Sequence, residues 1–140
     1  MLQERVSTML SSPLTGRELA VMALQGVVFW LGFAIFVRAL EPFGLLQGGA
    51  KVAMFVVAVP LTVALMAGIR TAMGYSAARM VEVIGIITGV AIMLDGLAFG
   101  FFPQLYGREV AHQVAGAGLI LWGGGVGMMV ALVMQRRAGG

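Results

Sequence analysis

The sequence predicts an all-α membrane protein: an up-down four-helix transmembrane bundle with both termini cytoplasmic. Three observations carry this. Hydrophobic residues make up 60% of the 140-residue chain and charged residues only 11%, too little polar surface to cover a soluble domain of this size. Four uncharged or nearly uncharged runs each reach the roughly 18–20 residues a helix needs to cross about 30 Å of hydrocarbon. The basic residues are few and lie between those runs, where they act as topology signals.

The elements follow in order. Residues 1–15 form a cytoplasmic or interfacial segment, with 2–12 a candidate interfacial helix and a frayed tail the alternative. Residues 1–19 carry Glu4 and Glu18 and no continuous apolar core, so they do not read as a cleavable signal. The transmembrane domain covers 16–137. Its first span runs over about 16–40, opened by the capping box Thr15–Glu18. The second span covers about 51–70, with Pro60 inside it freeing the carbonyl of Val56 and predicting a kink. The third covers about 80–102 and the fourth about 110–135. Lipid offers backbone amides no partners, so each run should be helical. Short connections predict that sequential helices are antiparallel neighbours.

Counting Lys and Arg sets the orientation. Arg5, Arg17, Arg70, Arg79, Arg136 and Arg137 fall on one side, and Arg38, Lys51 and Arg108 on the other. The positive-inside rule then places both termini in the cytoplasm. Membrane lipids are the expected surroundings. No basic run interleaved with aromatics argues for nucleic acid. The chain has no cysteine, which excludes disulfides and thiolate chemistry.

On a helical wheel the third span separates into two faces. Gly85, Gly89, Gly96 and Gly100 share one arc, while Val83, Ile86, Ile87, Val90, Leu94, Leu97 and Phe101 gather opposite. The glycine arc is expected to meet a neighbouring helix closely, and the bulky face to meet lipid. Gly116, Gly123 and Gly127 form a matching face on the fourth span, so the third and fourth helices are expected to join through these seams. A homodimer through one seam is the alternative.

Asp95 lies beside the glycine arc, directed inward. An unpaired charge near the midplane costs roughly 2.5–3.5 kcal/mol or more, so it must be protonated, paired or wet. Arg38, near the far end of the first span and roughly 7 Å away in depth at 1.5 Å per residue, is the candidate partner. Alternatively Arg38 reaches headgroups and Asp95 stays protonated on a neighbouring hydroxyl. Trp30 and Trp122 sit near the middle of their spans and are candidates to line an apolar ligand groove, or else plain packing. Phe99 to Tyr106 reads as an interfacial aromatic belt. Glu82 can pair with Arg79 one turn back. Glu109 and His112 have the i, i+3 spacing of half a carboxylate-bridged metal motif, but the further carboxylates are missing, so no metal is expected. Neither is any cofactor. The eleven methionines are scattered and read as gap-fillers.

Three stretches carry a family resemblance: "FWLGFAIFVRALEPFG" with Trp30, Arg38 and Gly44, "MLDGLAFGFFPQLY", and "AGAGLILWGGGVGMMVAL" with Trp122. Over residues 22 to 134 the chain resembles a family of small bacterial four-span membrane proteins, a domain of unknown function. The resemblance implies a bacterial inner-membrane location and makes Arg38 and Asp95 characteristic positions; it implies no activity. The expected function is therefore non-enzymatic: a structural or accessory subunit of a larger inner-membrane assembly, with a protein partner or a homo-oligomer. The alternative is a small carrier, channel or lipophilic-ligand binder centred on Asp95. An embedded enzyme using Asp95 as proton donor or acceptor is a third option.

Overall fold

The computed structural model describes residues 1–2 and 13–140; the interfacial helix expected over 2–12 lies, but for Leu2, outside them. Four long helices account for the described chain: α1 (Gly16–Leu40), α2 (Gly48–Met73), α3 (Met80–Phe101) and α4 (Val110–Ala138). All four are long and apolar enough to cross a membrane. This is the architecture of a multi-pass membrane protein.

Local chemistry sets the helix ends. The Thr15 hydroxyl accepts from the Glu18 amide at 3.2 Å, and the Glu18 carboxylate accepts from the Thr15 amide at 2.8 Å, so α1 starts on a complete capping box. Glu41–Phe43 forms a 3-10 turn that Gly44 ends at φ 62°. Gly74, at φ 67°, closes α2 by donating its amide to the Arg70 carbonyl; a left-handed residue at this place is what glycine supplies without strain. Pro60 stays inside a continuous α2. The Ser76 hydroxyl accepts from Ala78 and starts the turn that leads into α3.

The helices are not packed in sequence order. α1 lies mainly on α3, α3 on α4, and α4 on α2, whereas α1 and α2 barely meet. The expectation that neighbours in sequence are neighbours in space thus holds for the α3–α4 pair alone. In lipid, helix contacts form where small residues let backbones approach. Gly26 of α1 is such a place: a Cβ there would sit 2.7 Å from the Ile87 carbonyl oxygen and 2.7 Å from the Val90 Cβ.

Two buried clusters hold the ends together. Met22 gathers with Met66, Ile69, Met80, Val83, Ile84, Ile87 and Ala131. At the other end Ala34, Val37 and Leu40 gather with Leu46, Ala98, Tyr106 and Leu119. The start of α1 therefore shares a core with the end of α2, the start of α3 and the end of α4.

The glycine seams require correction. A Cβ added at Gly89, Gly96 or Gly100 would meet nothing within 4 Å, and one at Gly85 only the end of Met128 at 3.9 Å. The arc on α3 faces outward, while Val83 and Ile87 from the bulky face are buried; Leu97 and Phe101 do stay exposed. On α4, Gly116 abuts Val37 of α1, and Gly123 and Gly127 lie against Thr62 and Met66 of α2. Where α3 meets α4 the small residue is Gly124, beside Thr88 and Ile92. Acyl chains are as apolar as Val or Ile, so the bilayer does not sort bulky side chains outward.

Candidate functional site: a buried carboxyl on an apolar cavity

Asp95 is 6% exposed and faces a cavity of about 480 Å3 lined by all four helices. The volume falls within the ordinary range for small-ligand sites, about 300–1,000 Å3. Its lining is apolar apart from Trp30, Thr62, Thr88 and Asp95, and among the described residues Asp95 is the single ionisable one in it. Four aromatic side chains, Phe29, Trp30, Phe33 and Phe36, come from α1. The cavity opens where α1 and α2 fail to meet: Val28 on α1 and Val57 and Leu61 on α2 line it, yet each is more than half exposed. Gly32, also in the lining, has nothing within 4 Å of a Cβ built on it.

A directed hydrogen-bond chain holds the carboxyl. The Tyr106 hydroxyl donates to Asp95 Oδ1 at 2.5 Å, and the Trp30 indole N–H donates to the Tyr106 oxygen at 3.0 Å. An indole nitrogen only donates, so Tyr106 must accept from Trp30 and spend its one proton on Asp95. Burial raises the Tyr106 phenol above its ordinary value, and the neighbouring Asp95 adds to this, so the hydroxyl stays a donor. Asp95 Oδ2 has no hydrogen-bond partner among the described residues and is not sealed off. Any proton on this carboxyl therefore sits on Oδ2.

The expected Arg38–Asp95 pair does not form. Arg38 Nη1 donates to the Gln104 carbonyl at 2.5 Å, and among the described residues the one ion pair is Arg79–Glu82 at 2.9 Å. The reason is Tyr106. The 3-10 turn Pro103–Leu105 folds the chain back, leaving Tyr106 fully buried and stacked on Phe99 at 3.7 Å between ring centroids. The aromatic belt expected here is thus split: Phe101 and Phe102 are exposed, and Tyr106 turns in. One signal pointed to it. A buried carboxyl needs a donor, and one of the chain's two tyrosines lies eleven residues on.

The tryptophans do not share a groove. Trp30 lines the cavity, whereas Trp122 is 46% exposed, donates to the Phe55 carbonyl at 3.0 Å, and lies on the outside of α4.

Below the site, α1 and α4 cap each other. Glu41 Oε1 accepts from the amides of Arg108 and Glu109, at 2.6 and 2.9 Å, where α4 begins without a side-chain cap of its own. A carboxylate is favoured there by the free amides and the helix dipole. In return the fully buried His112 uses Nε2 on the Val37 carbonyl at 2.8 Å, one of the unsatisfied carbonyls closing α1. Since a carbonyl only accepts, Nε2 carries a proton. Glu109 is instead reached by the Gln47 amide at 3.5 Å, so Glu109 and His112 do not converge. No group of three or more metal-ligating side chains gathers among the described residues.

Known proteins offer no match. Neither a family model, a curated protein nor a solved structure resembles the chain closely enough to compare.

Proposed function

We propose that this chain is a non-enzymatic bacterial inner-membrane protein that binds a lipophilic ligand between its helices. In this reading it is an up-down bundle with both termini cytoplasmic; the two end clusters and the excess of arginine on one side support it. The inner-membrane assignment rests on the family resemblance in the sequence. One observation carries the function: a carboxyl with a free Oδ2 on an apolar cavity that opens sideways between α1 and α2. Such a cavity admits molecules dissolved in the bilayer and offers them one polar anchor. Binding is favoured over catalysis because Asp95 is the lone ionisable group in the lining among the described residues.

Native mass spectrometry after extraction in mild detergent tests the proposal. A bound small molecule, lost in Asp95→Asn, is expected. Failure of the chain to bind any lipophile, charged or neutral, would remove it. The role of accessory subunit is a second reading, favoured by the outward glycine face of α3 at Gly89, Gly96 and Gly100, which a helix of another protein could approach closely. Recovery of a fixed protein partner without a small molecule would favour that reading.

A further inference from the structure

We infer that the ligand is a lipophilic cation, which reaches Asp95 through the α1–α2 cleft and exchanges with a proton on Oδ2. This rests on the ligand-binding reading above. The charge of the site argues for it. Oδ1 is taken by Tyr106, whose orientation Trp30 dictates. Among the described residues Tyr106 is the one titratable group within hydrogen-bonding reach of Asp95, and α1, α2 and α4 add no titratable side chain to the lining. Arg38, the cation expected from the sequence to pair with Asp95, is held at the Gln104 carbonyl. His112 is held at the Val37 carbonyl, outside the lining. The site thus has a hydrogen bond suited to a carboxylate and, among the described residues, no countercharge.

Two states satisfy it. Without ligand, a proton on Oδ2 removes the charge, since an unpaired one is costly in apolar surroundings. With ligand, a positive group replaces that proton. No covalent bond forms; one proton leaves Oδ2 for water as one cation enters, and the cavity's charge is unchanged. The aromatic wall of α1 suits the same class, because ring faces attract cations and more so when desolvated. The mouth supplies the route: Gly32, Val57 and Leu61 all line the cavity, Gly32 leaves space there, and an amphiphile already in the bilayer need not cross a polar barrier.

The test uses the full chain in lipid nanodiscs, with equilibrium binding and, in a Trp122→Phe background, Trp30 fluorescence as readouts. Tetraphenylphosphonium and tetraphenylborate share a shape and differ in sign; triphenylphosphine oxide is the neutral probe. The phosphonium should bind at least about tenfold tighter than either. Its affinity should rise by up to about tenfold per pH unit while the unliganded carboxyl is protonated. Asp95→Asn should abolish both the preference and the pH dependence. Gly32→Trp, which has room at its Cβ, should weaken binding while keeping the pH dependence; this arm stands if Asp95→Asn fails to fold. Equal binding of the three probes, a pH-independent phosphonium affinity, or an unaffected Gly32→Trp would overturn the inference. If the neutral probe binds and the phosphonium does not, the cation is refuted and ligand binding survives. If nothing binds, both fall. A stable dimer closing the α1–α2 cleft would also overturn it, placing a second copy where the ligand should sit.

Discussion

Gly26→Ala isolates the contact that joins α1 to α3. A methyl placed there lies 2.7 Å from both the Ile87 carbonyl oxygen and the Val90 Cβ. Neither can turn aside, because one is backbone and the other is the atom at which the side chain begins. Relief needs the helices to part by about 0.7 Å, from 2.7 Å to the 3.4 Å at which ordinary contact starts. Overpacking of this kind costs about 1–3 kcal/mol, and the better helix propensity of alanine returns at most ~1 kcal/mol. Gly96→Ala provides the reference: it gains the same propensity and meets nothing within 4 Å. The difference between the two variants, measured by unfolding in detergent, should therefore be about 1–3 kcal/mol, with Gly26→Ala the weaker. Equal stabilities would refute the close α1–α3 approach. If Gly96→Ala were the more damaging, the outward placing of the α3 glycines would be wrong.

Other expectations can be checked on the same preparation. Tyr106→Phe and Asp95→Asn should be coupled by about 0.5–3 kcal/mol in a double-mutant cycle, whereas Arg38→Gln and Asp95→Asn should add within about 0.3–0.5 kcal/mol; the reverse pattern would restore the Arg38–Asp95 pair. Glu41→Ala strips the shared cap from α4, so amide exchange at Arg108 and Glu109 should accelerate, and unchanged exchange would show another acceptor at work. Trp30→Phe breaks the chain that orients Tyr106 and should weaken ligand binding. Trp122→Phe, on the outer face, should not; equal effects would contradict the placing of the two indoles.

Much of the candidate site was readable from residue types, and its wiring was not. A lone aspartate in an apolar span announces a buried carboxyl because charge in lipid is costly. Which donor answers it depends on how the chain turns after Phe101. Arg38 looked suitable because depth along a helix can be counted from sequence, while the fold-back at Pro103–Leu105 that carries Tyr106 inward cannot. Glu41 and His112 were missed as a reciprocal cap for the same reason. Their partners are backbone groups of another helix, and backbone groups carry no sequence signal.

By itself the sequence determined that four apolar helices form and roughly where they begin and end, since hydrogen bonding in lipid leaves an apolar run no other regular structure. It also determined which residue types could break the apolar monotony, Asp95 foremost. Only the tertiary structure decided which helix faces which, that the α3 glycines look outward, and that α1 and α2 part to open a cavity. The reason is physical. Water sorts side chains by polarity and writes that sorting into the periodicity of a soluble helix, but hydrocarbon favours Val, Ile and Gly almost equally inside and out. Shape then chooses the neighbours, and shape exists only once the helices have met.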